Sequence, residues 1–335
     1  MNILVTGGCG FIGSMLVRRL TESRDRVRVL DDFSTGSRDN LAGCDKAVEL
    51  LEGDVRDSAT LLAAMRGVEV VYHLAALPTV ARSVVDPLHC NSVNVEGTLT
   101  VLLTARDLGV RRVVYASSSS VYGDQPTLPK HEDMPVATLS PYAASKFAGE
   151  SYCRAFAHVY GLETVSLRFF NVFGPRQDPA SEYAAVIPRF ARWMLAGEQP
   201  VIYGDGAQSR DFTYVTNAVE ACLLAAAAGR EAVGEAMNVG CGGRISLLAL
   251  VEVLNELLGS RLEPLFAAPR PGDVRHSEAD ISKAARLIGY RPRVGLREGL
   301  EATVEWLAGQ LGERERDSVK AALAAPGSLR RPGRR

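Results

Sequence analysis

Short apolar runs at 3–6, 27–31, 48–51, 68–74, 113–117 and 164–169 alternate with stretches whose apolar residues recur at helical spacing. That alternation predicts strands joined by crossover helices, and hence a parallel sheet. Ligands of such sheets bind outside the carboxyl ends of the strands, where Gly7 to Gly13, Asp31, His73 to Ala76 and the serines 117–120 are expected to meet. After Asn171 the pattern changes to Pro- and Gly-rich loops separating helical runs near 184–196, 215–228 and 246–258. The expected organisation is a sheet domain over 1–170, to which segments near 210–240 return, and a smaller mixed lobe over 171–312. The stretch 313–335 ends in Pro, Gly and Arg, cannot build a core and is expected to be a flexible tail.

Thr6-Gly7-Gly8-Cys9-Gly10-Phe11-Ile12-Gly13 lies between the first strand and the first helix, with glycines three residues apart. A lone glycine pattern also makes ordinary tight turns. Here Asp31 closes the second strand, where a carboxylate accepts from an adenosine ribose, and the helix amino end offers amides to a pyrophosphate. The fold class is therefore α/β with a Rossmann-type doubly wound parallel sheet, and the cofactor is a dinucleotide. A 2'-phosphate beside Asp31 would be repelled, and no Arg directly follows it, which favours NAD over NADP. Gly7, Gly10, Phe11, Ile12, Asp31, Asp32, Asp54, Val55, Leu74, Ala75 and Ala76 form the expected cofactor set. For Asp54 a simple capping role is an equal alternative.

In Ser140-Pro141-Tyr142-Ala143-Ala144-Ser145-Lys146, Ser140 suits a helix cap and Pro141 a first helical position. Tyr142 and Lys146 then share one face, a phenol beside an ammonium. A close cation and a helix amino terminus both favour the phenolate, so Tyr142 is expected to act as a base near neutral pH. Taken alone the pair is an ordinary amphipathic helix with a solvated Lys; its company with the glycine loop makes it a redox site.

Composition narrows the partners. In 335 residues, 47% hydrophobic and 23% charged, a formal net charge of -1 offers no global field for nucleic acid or an anionic membrane. Six dispersed cysteines lack a Cys-x-x-Cys pair, and five histidines show no ligand spacing, so neither a disulfide framework nor a metal site is expected. No stretch reaches the length needed to span a bilayer and no signal segment opens the chain, so a cytoplasmic location is expected.

Through TGGCGFIG, SSSSVYG (117–123) and YAASK, the chain resembles the extended short-chain dehydrogenase/reductase family over nearly its whole length. Within it, the segments RFFNVFGPRQDP (168–179), YAAVIPRF (183–190), GDGAQSRDFTYV (204–215) and RPGDVRHSEADISKA (270–284) look like those of UDP-hexose 4-epimerases, most similar to the UDP-N-acetylglucosamine 4-epimerase group. The resemblance implies a catalytic set of Ser118, Tyr142 and Lys146, with Ser119 competing with Ser118, and adds Asn94, Tyr142 and Lys146 to the cofactor set. It also implies a sugar-nucleotide set of Ser118, Ser119, Asn171, Ala185, Val186, Tyr203, Arg210, Arg270 and Ser277. Two Arg forks suit a diphosphate independently. Ser277 stands where galactose-specific relatives carry a bulky Tyr, leaving room for a 2-acetamido group; Ala185 and Pro78 likewise replace an Asn and a Lys.

The implied reaction is oxidation of carbon 4 to a keto sugar with Tyr142 as base, turning of the sugar, and return of the hydride to the opposite face. The alternatives are a UDP-glucuronate 4-epimerase, a nucleotide-sugar 4,6-dehydratase and a non-catalytic NAD-binding protein. The resemblance further implies a homodimer, formed as a four-helix bundle from the helix carrying Tyr142 and the one near 91–108.

Overall fold

A computed structural model describes residues 1–23, 25–178, 185–269 and 274–310. The tail 313–335, Arg270, and the first residues of the 183–190 segment lie outside the described residues.

Six strands, β1 (Asn2–Thr6), β2 (Arg26–Asp31), β3 (Val48–Glu52), β4 (Val70–His73), β5 (Arg112–Ser118) and β6 (Glu163–Phe169), join a seventh at Ala236–Val239. Their spatial order is 236–239, β6, β5, β4, β1, β2, β3, and every neighbouring pair is parallel. The order reverses between β1 and β4, the switch point where a crevice opens at the strands' carboxyl ends.

The sheet is buried on both sides, which is why its central strands read as unbroken apolar runs. Ile3, Val5, Val27 and Val29 pack in one layer with Leu16, Val17 and Leu20 of α1 (Phe11–Thr21). Leu4, Leu30, Val71, Val113 and Tyr115 pack in the other, with α2 (Ser58–Met65) and residues further along the chain. The latter belong to α5 (Gly97–Asp107) and α6 (Pro141–Tyr160) and include Val101, Leu102, Cys153 and Phe156. Two short helices, α3 (Val80–Val85) and α4 (Pro87–Asn91), follow β4, and a π-helical turn at Ser92–Glu96 links α4 to α5.

After β6, the chain forms α7 (Val186–Leu195), α8 (Val215–Ala227), α9 (Leu247–Leu258), α10 (Ser282–Ile288) and α11 (Leu296–Gln310). α8 packs against α1 and β5, so this stretch covers the sheet. Two-stranded pairs, such as Val172–Phe173 with Thr213–Tyr214 and Ser209–Arg210 with Ile245–Ser246, hold the smaller lobe over the crevice. Among the described residues no helix is long and apolar enough to cross a membrane, and all six cysteines are free thiols.

Candidate active site

The first βα turn fits a dinucleotide. Gly7 has φ +70, and a Cβ there would lie 2.7 Å from the backbone nitrogen of Ala75; one on Gly13 would lie 2.1 Å from the Gly7 carbonyl oxygen. The loop therefore presses backbone on backbone with no space for side chains, the arrangement that lets a pyrophosphate approach the amides. Asp31 is buried at the end of β2, where its carboxylate accepts from the backbone N–H groups of Cys9 (2.8 Å) and Phe33 (2.9 Å). Burial raises its pKa against those two bonds. Asp31 still lines the cavity, placed for a ribose hydroxyl to donate to it.

That cavity, about 1400 Å³, runs from the glycine loop to the smaller lobe. It is large enough for a dinucleotide and a nucleotide sugar together. Gly7, Gly10, Phe11, Ile12, Asp31, Asp32, Val55, Leu74, Ala75 and Ala76 all line it on the cofactor side. Asp54 and Asn94 are not part of its lining. Asp54 is engaged by Arg56, whose hydrogen bonds hold its carboxyl below the usual range. Asn94 is buried with its amide spent: Oδ1 accepts from Leu77 N (2.7 Å), and Nδ2 donates to Leu77 O and, at 2.9 Å, to Ser145 Oγ. It ties the loop after β4 to α6, so it supports the cofactor wall from behind.

The reactive groups stand on β5 and α6. Ser140 caps α6, its hydroxyl accepting from Ala143 N at 3.1 Å, and Pro141 occupies the first turn. The Tyr142 hydroxyl stands beside that of Ser118 at the end of β5, and Ser118 Oγ accepts from Ser120 N at 3.2 Å. Lys146 is buried one turn on, its ammonium 5.9 Å from the Tyr142 ring centre and donating to the Ala116 carbonyl at 2.8 Å. Ser118, Ser119, Ser120, Tyr142 and Lys146 all face the cavity.

The electrostatics differ from the expectation of a ready phenolate. Burial raises the Tyr142 pKa above its ordinary value, and the neighbouring Ser118 hydroxyl only partly offsets this. Burial lowers the Lys146 pKa to about 8. The helix terminus and the ammonium do not overcome the cost of a desolvated anion. The phenol of the protein alone therefore keeps its proton at neutral pH. His73, at the end of β4, is also buried and neutral, its pKa driven to about 3 by burial and then by Lys146, and its ring bonds Thr6 Oγ1 (2.7 Å) and Thr98 Oγ1 (3.0 Å). Among the described residues no group of acidic, His and Cys side chains is placed to hold a metal ion.

On the substrate side Asn171, Arg210, His276 and Ser277 line the cavity, and Pro78 lines it from the loop after β4. Asn171 and Arg210 also border a side cavity of about 240 Å³, lined by Ala185, Val186, Tyr203 and Phe212. Arg210 Nη1 donates to the carbonyls of Ser209 (2.9 Å) and Arg275 (3.1 Å), which steadies the guanidinium at the junction of the two spaces.

Several participants escape sequence reading. Arg176 and Gln177 from the lobe, and Trp306, Leu307 and Gln310 from α11, line the cavity and draw the lobe over the sheet. Behind Ser118, Glu150 and Arg168 form a buried two-point ion pair at 2.7 and 2.9 Å; Ser117 donates to Glu150, and Arg168 donates to the Tyr122 hydroxyl at 2.8 Å. Glu150 follows Tyr142 and Lys146 at the same four-residue spacing, and that signal could have found it. Lys130, in the loop before α6, gave no periodic signal at all.

Residues 3–240 match the NAD dependent epimerase/dehydratase family. The chain is 42% identical to a UDP-glucose 4-epimerase of Mycolicibacterium smegmatis over 310 residues, covering 91% of this chain and 98% of the relative. Among solved structures it is similar to a UDP-N-acetylglucosamine 4-epimerase from Methanobrevibacter ruminantium M1 in complex with UDP-N-acetylmuramic acid. That match has a TM-score of 0.89 and 39% identity, and covers 92% of this chain and 99% of the other. It also resembles the UDP-glucose 4-epimerase of Thermus thermophilus in complex with NAD, with a TM-score of 0.85, 38% identity, and coverage of 93% of this chain and 100% of that one. With the glycine turn, Asp31 and the Tyr142/Lys146 pair opening on one crevice, the chain belongs to the NAD dependent epimerase/dehydratase family.

Proposed function

We propose that the protein is an NAD-dependent epimerase that inverts carbon 4 of a UDP-hexose, with UDP-N-acetylglucosamine and UDP-glucose and their 4-epimers as its substrates. The observation that carries this is a single cavity with Ser118, Tyr142 and Lys146 at its centre, the glycine turn at one end and Asn171, Arg210 and Ser277 at the other. Bound NAD supplies a reversible hydride acceptor. With a cationic nicotinamide and Lys146 both favouring its phenolate, Tyr142 takes the proton of the 4-hydroxyl and later returns one, while Ser118 holds that hydroxyl in line; the Lys146 ammonium lies 5.9 Å from the Tyr142 ring centre. Arg210 and Asn171 anchor the diphosphate while the sugar turns. The small Ser277 leaves space for a 2-acetamido group. A 4,6-dehydratase needs an acid/base pair to eliminate water, and the segment 117–120, where resembling dehydratases carry Asp-Glu, holds only serines here.

The test is proton NMR of purified protein with UDP-N-acetylglucosamine and, separately, UDP-glucose, with no cofactor added. The expected result is the 4-epimer from both, because an acceptor restored at each turnover need not leave. Absence of product from either, in protein that contains NAD, would overturn the reading.

The free thiols suit the reducing cytoplasm, and recovery of activity with the membrane or periplasmic fraction would contradict that location. The working unit is a C2 homodimer through α5 and α6, which leave Leu103, Phe147 and Tyr152 partly exposed. Light scattering should give twice the 36.0 kDa chain mass; a monomer at micromolar concentration would refute the dimer.

A further inference from the structure

In Gly174-Pro175-Arg176-Gln177 the arginine has φ +70, a left-handed conformation that glycine or asparagine adopts at less cost. A long side chain kept there against the strain points to a task for it. The Arg176 guanidinium is half-buried, lines the main cavity, and touches the protein through a long bond from Nη1 to the Asp39 carbonyl at 3.4 Å. Among the described residues no carboxylate pairs with it. Burial lowers its pKa, and the second cation at Arg18 of α1 lowers it further. Arg18 spends Nη2 on the carbonyls of Asn40 and Ala42, and its Nε is closed off from solvent with no partner among the described residues. Two guanidinium groups therefore crowd the segment 38–42, and neither is neutralised by an ion pair there.

That segment is stitched to the glycine turn. Ser37 N donates to the Cys9 carbonyl at 3.1 Å, and Asn40 Nδ2 donates to the same oxygen at 2.9 Å. The turn from Thr6 to Gly13 contains no Lys or Arg, and Pro78 in the loop after β4 supplies no cation either. A dinucleotide carries a negative charge on each of its two phosphates, whereas the amides of a helix end offer about half a positive charge. The other cations of the cavity wall are engaged elsewhere: Lys130 with the Gln125 carbonyl, Lys146 with that of Ala116, and Arg210 with those of Ser209 and Arg275. Arg82 lines the wall from α3, away from the segment tied to Cys9. We propose that Arg176 is an anion clasp, laid by the smaller lobe over the pyrophosphate of NAD, so that cofactor retention depends on the lobe as well as on the glycine turn. An Arg fork suits paired phosphate oxygens, and a bound anion offsets the repulsion from Arg18. The clasp concerns the cofactor alone and holds whichever nucleotide sugar is turned over.

The experiment follows the release of NAD from purified holoenzyme by timed ultrafiltration, for the wild type, Arg176→Met, Arg176→Gly, Arg176→Lys and Arg82→Met. Release from Arg176→Met should be about 10- to 100-fold faster than from the wild type, the loss of a charge-assisted contact to phosphate. Arg176→Gly should release as fast although its backbone is at ease at φ +70, which separates the guanidinium from the strain. It also keeps the test open should Arg176→Met fold poorly. Arg176→Lys should recover part of the retention, since a point charge lacks the fork. Added NaCl should speed release from the wild type more steeply than from Arg176→Met, a response that a merely structural brace would not give. Calorimetry of UDP on the same holoenzymes should give like affinities in wild type and Arg176→Met. Wild-type retention in both Arg176→Met and Arg176→Gly, an equal loss of UDP affinity, or release quickened by Arg82→Met instead would overturn the proposal and leave Arg176 as a brace between the lobe and the 38–42 segment.

Discussion

Replacing Tyr142 with Phe is expected to lower kcat for carbon-4 inversion by about 10²- to 10⁴-fold, the range for loss of a positioned general acid/base. The phenol stands beside Ser118 and Lys146, and among the described residues the neighbouring titratable groups are committed elsewhere. His73 is neutral and committed to Thr6 and Thr98, and Lys146 is committed to the Ala116 carbonyl. The fold should be little affected, because Tyr142 lines the cavity and its lost hydroxyl makes no hydrogen bond to the sheet backbone among the described residues; about 1 kcal/mol is the typical stability cost. NAD content after purification should be unchanged, since the glycine turn and Asp31 are untouched. The check is initial-rate NMR on UDP-glucose beside the absorbance ratio of the purified protein. Activity within ten-fold of wild type would remove Tyr142 from the chemistry.

The central sheet was legible because its strands carry their own signal. Ile3, Val5, Leu4 and their counterparts are buried on both faces, so each run stayed apolar to its ends and the boundaries at β1, β2, β3 and β5 shift by only a residue or so. The helix near 91–108 was legible only as a length. Its first turn is a π-turn between α4 and α5, and the buried Asn94 within it bonds backbone from the loop after β4. No local pattern announces a contact that forms only after the tertiary fold brings residues 77 and 94 together.

The site divides the same way. Gly7 and Gly13 were legible because the sterics that require glycine are local to the turn. The burial around Tyr142 was not legible because a pKa depends on total desolvation, and the sequence shows the nearby cation but not what encloses it. Lys130 and Arg168 look like surface charges in the sequence. Each is buried through partners far along the chain, Lys130 against 278–280 and Arg168 against Glu150 and Tyr122.

The second large effect is expected at that ion pair. Glu150 and Arg168 have side chains 5% exposed each, and the carboxylate meets the guanidinium at two points while also accepting from Ser117. In Glu150→Ala the guanidinium is left charged and buried with Tyr122 as its remaining side-chain partner, the case for which about 3–5 kcal/mol is lost. The mirror change Arg168→Met removes the cation but strands the carboxylate. The double variant Glu150→Ala/Arg168→Met should therefore be more stable than the sum of the single losses implies, because neither charge is then orphaned. Urea unfolding followed by tryptophan fluorescence measures all three, provided the slopes match. Because Ser117 precedes Ser118 on β5, a loosened network should also blur the catalytic hydroxyl's position, and kcat should fall in both single variants beyond what their folded fraction explains. A loss below about 1 kcal/mol in Glu150→Ala, the range of an exposed pair, would show that water reaches this pair and that the wall behind Ser118 is softer than its geometry indicates.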